Sequence, residues 1–224
     1  MNNRLNENIF HQYSKWKTGY VRKENSLVMR LNNFITNYEI KKDSFIFGDA
    51  PELTISEDGK KVNCDGNIRI LDSYLIGGKL PFPFGEVKGM FLFDKCEELI
   101  SLEGSPEKII NGSFCCDFAE NLTSLVGAPK EVDQITLNMC NKITSLVGCP
   151  EHVWYFSCAG CSKLTTLEGC PQRVVCDFDC KNCTSLTSLE FLPKELERLD
   201  ADERIKDTMP SDVVIAKKAN FFNF

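Results

Sequence analysis

The sequence of 224 residues contains only two histidines, His11 and His152. This scarcity limits catalysis that depends on histidine as a general acid or base. No apolar run approaches the ~18 residues that a membrane-spanning helix needs. The N-terminus, MNNRLNENIF, lacks the apolar stretch of a secretory signal. A phosphate-binding loop is missing too, because Gly77-Gly78-Lys79 is only a fragment of that motif. We therefore expect a cytoplasmic protein with no membrane contact.

The chain does contain enough apolar material for a packed core. Hydrophobic residues make up 42% of it and charged residues 26%, a balance typical of globular proteins and not of disordered ones. It also contains twelve cysteines. In a reducing cytoplasm, cysteines are mostly small buried residues, metal ligands or catalytic groups, so their role depends on where they lie in the chain.

A phrase of eight residues returns five times along the chain. The copies start at Leu99, Leu122, Ile143, Leu164 and Leu186 and read LISLEGSP, LTSLVGAP, ITSLVGCP, LTTLEGCP and LTSLEFLP. Their starts are 23, 21, 21 and 22 residues apart, a period that is typical of leucine-rich repeats. We number the first residue of each copy position 0. The same template fits around Ile76, and Leu199 and Ala201 fit a last strand, so we predict seven stacked coils.

Apolar residues recur at two fixed positions before each phrase. Position −8 holds Phe91, Phe114, Ile135, Phe156 and Phe178, and position −6 holds Phe93, Cys116, Leu137, Cys158 and Cys180. This alternation predicts a short strand that turns these side chains inward, and the following Gly-x-Pro predicts a turn. One unit of about 22 residues cannot bury its own apolar side. The pattern therefore predicts a mainly β, leucine-rich-repeat-like solenoid.

The phrase LTSLxGxP, with an aromatic-x-Cys-x-x-Cys strand before it, resembles the leucine-rich repeats encoded by large tailed bacteriophages and some bacteria. The resemblance covers roughly residues 30 to 200, including LNNFITNYEI and LPFPFGEVKGMF before the repeats. The repeats of secreted bacterial effector ligases are a more distant likeness, and we find no sign of their C-terminal helical catalytic domain. The resemblance implies a solenoid fold and a viral origin, and it implies no active-site residues.

The segments beside the repeats divide the chain further. Residues 1–42 contain two amphipathic patterns, Leu5-Ile9-Tyr13-Trp16 and Leu27-Leu31-Phe34-Tyr38, which predict a helical cap over the open end of the solenoid. Residues 43–66 predict a β-hairpin around Glu57-Asp58-Gly59. Residues 67–213 form the predicted solenoid. Residues 214–224 form a tail that ends in NFFNF, which either folds back over the last coil or docks into a partner.

Charge is distributed unevenly along the chain. Residues 1–42 carry eight Lys and Arg against three Glu, a net charge of +5, so a chain of net −6 leaves −11 for the remainder. This asymmetry could orient the protein towards an acidic partner. The positive residues are scattered along the segment and do not cluster, so we do not expect nucleic-acid binding.

Two cysteine pairs match the ligand spacing of a zinc ribbon. Cys158-x-x-Cys161 and Cys180-x-x-Cys183 are separated by 18 residues. The repeat explains these cysteines without a metal, because positions −6 and −3 hold Phe93, Leu137 and Ala119 in other coils. We predict buried packing and no cofactor, with a zinc site as the alternative. Cys115, at the outward position −7, is the predicted reactive thiol.

The outward side chains of the strands, at positions −9, −7 and −5, form a predicted sheet face. We expect this face to bind a partner through Tyr155, Asp177, Asp179, Asp200, Asp202, Asp94, Asp117, Gln134 and Asn138. Tyr155 is a rigid aromatic residue beside small ones, a common setting for a binding hot spot. The aspartates at the C-terminal end would attract a basic partner. The alternative is a solvated face without a partner, which every solenoid has.

These features favour a non-catalytic protein-binding module. The resemblance to phage repeats adds the expectation that the protein engages or inhibits a host factor in the bacterial cytoplasm. Two alternatives remain open. One is a structural or accessory virion component that assembles through the cap and the phenylalanine-rich tail. The other is an enzyme with a thiol or zinc centre.

Overall fold

The structure is a computed structural model that describes residues 27–40 and 51–216. Its elements, in chain order, are α1 (Leu27–Ile40), β1 (Glu52–Ile55), β2 (Val62–Asp65), β3 (Ile68–Ile70), a 3-10 turn (Asp72–Tyr74), β4 (Phe84–Lys88), β5 (Phe91–Phe93), β6 (Lys108–Ile110), β7 (Ser113–Cys115), β8 (Gln134–Thr136), β9 (His152–Val153), β10 (Tyr155–Ser157), β11 (Arg173–Val174), β12 (Asp177–Asp179), β13 (Glu195–Leu196), β14 (Arg198–Asp200), α2 (Glu203–Lys206) and β15 (Val214–Ile215).

Seven short strands form the main sheet. In chain order β3, β5, β7, β8, β10, β12 and β14 each pair in parallel with the next. The register places equal repeat positions side by side, so that Ile135 lies opposite Phe114 on one side and Phe156 on the other. The predicted solenoid of seven coils, roughly 22 residues apart, is therefore confirmed.

A second series of strand pairs runs along another side of the coils. There β4 pairs with β6, β9 with β11, and β13 with β15, each in parallel. The predicted hairpin is present, since β1 and β2 pair antiparallel and Gly59 has a φ of 71° in the turn. Because β2 also pairs in parallel with β4, the hairpin is joined to the coils. At the other end, the pairing of β15 extends into the segment predicted as the tail.

The repeat phrase is explained by the turn that it builds. In four coils the hydroxyl at position +2 accepts a hydrogen bond from the backbone N–H of position +4, as Ser124 does from Val126 at 3.2 Å. The N–H of position +6 then donates to the carbonyl of position +3. The glycine between them has positive φ, 108° at Gly148, where a Cβ would lie 2.5 Å from the carbonyl carbon of Leu125 in the preceding coil. At position 148, both the backbone angle and the close approach of the coils therefore require glycine.

The core consists of inward columns that continue from coil to coil. The five residues at position 0 from Leu99 to Leu186 are completely buried. At position −8, the rings of Phe91 and Phe114 stack with centroids 5.9 Å apart, and those of Phe156 and Phe178 at 5.1 Å. Stacking lets neighbouring coils share one continuous apolar interior, which no single coil could enclose.

Different elements cover the two ends. Helix α1 buries Leu31, Phe34 and Ile35, and the Phe34 ring packs edge-on against Tyr74 and Phe82 of the first coil. This confirms a helical N-terminal cap, whereas the helix predicted from Leu5 to Trp16 lies outside the described residues. At the C-terminal end, α2 replaces the usual return segment, and its Ile205 is buried. No helix among residues 27–40 and 51–216 has the length and hydropathy of a membrane span.

Candidate functional site

The middle column of the sheet face is partly buried. At position −7, Cys115, Thr136 and Asp179 are only partly exposed, and Ser157 is 1% exposed. The Ser157 hydroxyl donates a hydrogen bond of 2.6 Å to Oδ1 of Asn138 at the neighbouring position −5. Ser157 therefore contributes a hydrogen bond within the face and very little exposed surface.

Three of the predicted binding residues hold coils together through backbone hydrogen bonds. Asp117 Oδ1 accepts the N–H of Asn138 at 2.7 Å, and Asn138 Oδ1 accepts the N–H of Ala159 at 3.0 Å. Asp202 Oδ1 likewise accepts the N–H of Asn182 at 3.0 Å. Because each bond joins one coil to the next, these side chains have a structural role whether or not they contact a partner.

The predicted acidic end of the face carries less free charge than its four aspartates suggest. Arg198 lies 3.2 Å from a carboxylate oxygen of Asp177 and 3.2 Å from one of Asp200. Asp202 pairs with Arg204 at 3.4 Å. Burial raises the pKa of Asp179 above its usual value. The attraction of a basic partner, which the sequence predicts, is therefore opposed by arginines that already occupy the cluster.

The remaining predicted residues lie in the middle and at the N-terminal end of the face. Tyr155 is partly buried and is paired in register with the exposed Gln134. Trp154 precedes Tyr155 and is 57% exposed. Asp94 forms an ion pair with Arg69 of the preceding coil. The centre of the face thus presents aromatic and amide groups, with the charged pairs towards both ends.

The structure reveals an apolar feature that strand parity could not predict. The residues at position −4, directly after the sheet face, adopt positive φ in five coils, and we call this row the carboxyl edge: Lys95 (51°), Phe118 (61°), Met139 (59°), Gly160 (73°) and Asn182 (61°). Phe118 is 47% exposed and Met139 44%. The only sequence signal was a column in which Phe and Met stand where other coils have Lys, Gly and Asn.

The carboxyl edge adjoins the sheet face at a shallow depression. Its volume is about 500 Å³, and its lining includes Asn138 of the face together with Met139, Gly160 and Asn182 of the edge. A Cβ at Gly160 would lie 2.3 Å from Met139 Sδ. The bare backbone of Gly160 therefore gives the methionine side chain the space that it occupies.

The inward cysteines at position −3 satisfy backbone carbonyls of the preceding coil. Each thiol donates to the carbonyl oxygen at position −6 of that coil: Cys96 to Ile70 (3.2 Å), Cys140 to Cys116 (2.9 Å), Cys161 to Leu137 (3.0 Å) and Cys183 to Cys158 (3.2 Å). All four members of the two Cys-x-x-Cys pairs are completely buried. The prediction that these pairs pack in the core is confirmed.

The pKa is raised at most of the core thiols, whereas the hydrogen bond with Cys158 lowers the pKa of Cys183. Burial raises the pKa of Cys96 to about 12 and also raises those of Cys161 and Cys180. A hydrogen bond with Cys183, together with burial, raises the pKa of Cys158 well above its usual value. Zinc binds thiolates, so the raised pKa values of Cys158, Cys161 and Cys180 favour packing over metal. Within the described ranges, which include all twelve cysteines, no three or more Cys, His, Asp or Glu residues are arranged to hold a metal.

Cys115 differs from these thiols in lying on the sheet face. It is half-buried, and burial raises its pKa. A nucleophilic cysteine needs a lowered pKa, so this environment works against the predicted reactivity.

Comparison with known proteins identified no relative. No family model, no curated protein and no solved structure matches this chain.

Proposed function

We propose that this protein is a non-catalytic module that binds another protein through the sheet face and the adjoining carboxyl edge. The observation that carries the proposal is the pair Phe118 and Met139. Both are apolar, both remain nearly half exposed, and both have left-handed backbone conformations.

The left-handed turn belongs to the coil, since five coils share it, but the coil does not need exposed apolar side chains there. A residue other than glycine in the left-handed region costs roughly 1–2 kcal/mol, with Asn and Asp tolerated best. Lys95 and Asn182 occupy the same backbone geometry in other coils, so the fold does not require an apolar residue there. Aromatic residues and Met are enriched in protein interfaces, so their presence at this exposed position favours binding.

The surroundings of the two side chains suit recognition. Met139 borders the depression that includes Asn138 of the sheet face. The face itself is a seven-stranded sheet whose coils are cross-linked by the side chains of Asp117 and Asn138. A rigid scaffold keeps apolar anchors in position before binding, which reduces the entropy lost in the complex. The raised pKa values of Cys158, Cys161 and Cys180 also support binding as the function in preference to thiol or zinc chemistry.

The partner that we propose is a host factor in the bacterial cytoplasm. This part of the proposal depends on the resemblance of the repeat phrase LTSLxGxP to phage-encoded repeats. A virion component would instead be recovered with assembled particles.

The test is affinity purification from bacterial lysate, with bound proteins quantified by mass spectrometry. Wild type is compared with the double variant Phe118→Asn/Met139→Asn and with Lys95→Asn, a control at the same backbone position of a neighbouring coil. We expect wild type and the control to retain one protein in stoichiometric amount. The double variant should retain at least about tenfold less, as the loss of two anchor side chains implies. Equal retention by all three proteins, or no partner for wild type, would refute the proposal.

A further inference from the structure

The depression beside Met139 lies where the charge along this side of the solenoid changes sign. Residues of three successive coils line it. Between positions −5 and −1, each of these coils has one lysine and no acidic residue, and the lysines are Lys142, Lys163 and Lys181. The two preceding coils have five acidic residues and one lysine at the same positions. Positive charge is therefore confined to the coils that form the depression.

The three lysines are not neutralised by carboxylates of the described chain. All three are exposed, and none forms an ion pair with a residue of the ranges 27–40 and 51–216. Lys142 donates to the uncharged Asn121 Oδ1. The half-buried Asp179 accepts the backbone N–H of Lys181 at 2.9 Å. Because each lysine is next in sequence to a residue that lines the depression, its charge is available to a ligand there.

The depression also presents amide groups of fixed orientation. Asn138 Oδ1 accepts the N–H of Ala159 at 3.0 Å, and Asn141 Oδ1 accepts the N–H of Ser162 at 3.3 Å and its hydroxyl at 2.9 Å. A backbone N–H only donates, so each amide turns its oxygen to the next coil and its Nδ2 group elsewhere. Among the described residues neither Nδ2 group has a hydrogen-bond partner, and neither is a buried unpaired atom. Both can therefore donate to a ligand.

These groups define the chemistry of the ligand. Ammonium and amide N–H groups all require acceptors, and carboxylates are acceptors that also carry the opposite charge. Met139 adds an apolar surface that is 44% exposed. The depression has a volume of about 500 Å³ and extends over three coils, which is room for several neighbouring side chains of one segment.

We propose that the depression binds an acidic segment of the partner protein, with its carboxylates towards Lys142, Lys163 and Lys181 and an apolar side chain against Met139. This inference rests on the proposed function and adds the charge of the partner to it. The charge is opposite to that of the basic partner predicted from the aspartates of the sheet face.

Fluorescence polarisation with three labelled peptides tests the proposal. Each peptide has a central Leu that is flanked on both sides by Glu, by Gln or by Lys. We expect the Glu peptide to bind at least about tenfold more tightly than the Gln peptide, as three ion pairs imply, and the Lys peptide to bind least. Added salt should weaken binding of the Glu peptide. Failure of all three peptides to bind, or equal affinities, would overturn the proposal.

Variants of the lysines locate the site. The triple variant Lys142→Gln/Lys163→Gln/Lys181→Gln should bind the Glu peptide about tenfold more weakly than wild type. A control with the same change in net charge replaces three exposed lysines outside the depression: Lys60→Gln/Lys130→Gln/Lys194→Gln. The control should keep most of the affinity. Equal losses in the two triple variants would show attraction by net charge alone and would contradict the proposed site.

A single substitution tests the amide donor. Asp117, at the same position −5, accepts the N–H of Asn138 at 2.7 Å, so a carboxylate can make this link between coils. Asn138→Asp therefore keeps an acceptor for Ala159 and replaces the Nδ2 donor by a negative oxygen. Binding of the Glu peptide should fall at least about tenfold while urea unfolding stays as in wild type. Wild-type affinity in this variant would contradict the role of the amide.

Two further outcomes separate this inference from its alternatives. Single-stranded DNA that displaces the Glu peptide and binds more tightly would refute a protein segment as the ligand. In the lysate experiment, a partner that Phe118→Asn/Met139→Asn loses but the triple variant at Lys142, Lys163 and Lys181 retains would refute the acidic segment and leave the proposed function standing. Binding of the Glu peptide without any retained partner would refute the proposed function alone.

Discussion

The inward columns and the carboxyl edge repeat with the same period but differ in how strictly they constrain residue type. At position 0 every coil from Leu99 to Leu186 has Leu or Ile, and each of these is completely buried. At position −4 the φ angles span only 51° to 73°, yet Lys, Phe, Met, Gly and Asn all occur there. Packing thus determines the residue type in the core. At the edge, backbone geometry alone permits several residues, so the choice of Phe118 and Met139 needs another cause.

The largest expected effect is a loss of stability on truncating a buried side chain, compared with truncating its exposed neighbour. Leu146→Ala removes a completely buried side chain, and we expect a loss of about 3 kcal/mol in the free energy of unfolding. Val147→Ala changes a neighbour that is 47% exposed and should cost less than about 0.5 kcal/mol. Urea unfolding measures both. Equal losses of unfolding free energy for the two variants would contradict the assignment of Leu146 to the core and Val147 to the surface.

A smaller effect tests the thiol hydrogen bonds of the core. Cys161→Ala leaves the Leu137 carbonyl without its 3.0 Å donor and should lower the free energy of unfolding by about 1–2 kcal/mol. Ala119 occupies the same position in another coil, so the backbone tolerates alanine. Cys115→Ala, on the sheet face, should cost less. If Cys161→Ala were neutral, the cysteine column would be explained by size alone.

Relief of backbone strain should raise the free energy of unfolding by up to about 1 kcal/mol. Phe191→Gly places glycine at a φ of 72°, where four other coils already have it, and the unfolding free energy should rise. Phe191→Ala is the matched control, because it removes the ring and keeps a Cβ at the same φ. Stabilisation by both variants would assign the effect to the exposed ring and not to the backbone.

The smallest effect depends on pH. Because burial raises the folded-state pKa of Asp179, the folded protein holds the proton more tightly than the unfolded chain. Wild-type stability should therefore fall as pH rises through the interval between the usual aspartate pKa and the raised one. Asp179→Asn preserves an acceptor for the N–H of Lys181 and should be more stable than wild type above that interval and no more stable below it.

A matched variant isolates the cause of that difference. Asp177→Asn breaks the 3.2 Å pair with Arg198 and should bring no such gain. Parallel pH profiles for Asp179→Asn and wild type would contradict the account.

The sequence predicts the solenoid because its period is explicit. The spacing of the LTSLxGxP phrase and the apolar residues at −8 and −6 sufficed for seven strands in register, and Asp58-Gly59 sufficed for the hairpin. Helix α2 was not predicted, because the repeat phrase is absent after Pro193 and only isolated apolar residues such as Val213 remain as signals.

The candidate site was less accessible to the same reasoning. Strand parity correctly turns Tyr155 and Gln134 outward, but it says nothing about which charges find partners. The ion pairs of Arg198 with Asp177 and Asp200 were therefore not predicted. The alternation of inward and outward side chains also applies only within the strand, so it predicts no orientation for the residues that follow. The left-handed backbone that exposes Phe118 and Met139 follows directly after it, and only a comparison of that column between coils reveals them.

The most direct test of the central claim is the free energy of unfolding of the double variant Phe118→Asn/Met139→Asn. If these side chains are present for binding, asparagine in the left-handed region should keep stability within about 1 kcal/mol of wild type or raise it. A loss of about 3 kcal/mol or more, the size expected for a core residue, would contradict the claim and assign Phe118 and Met139 to the folding of the solenoid.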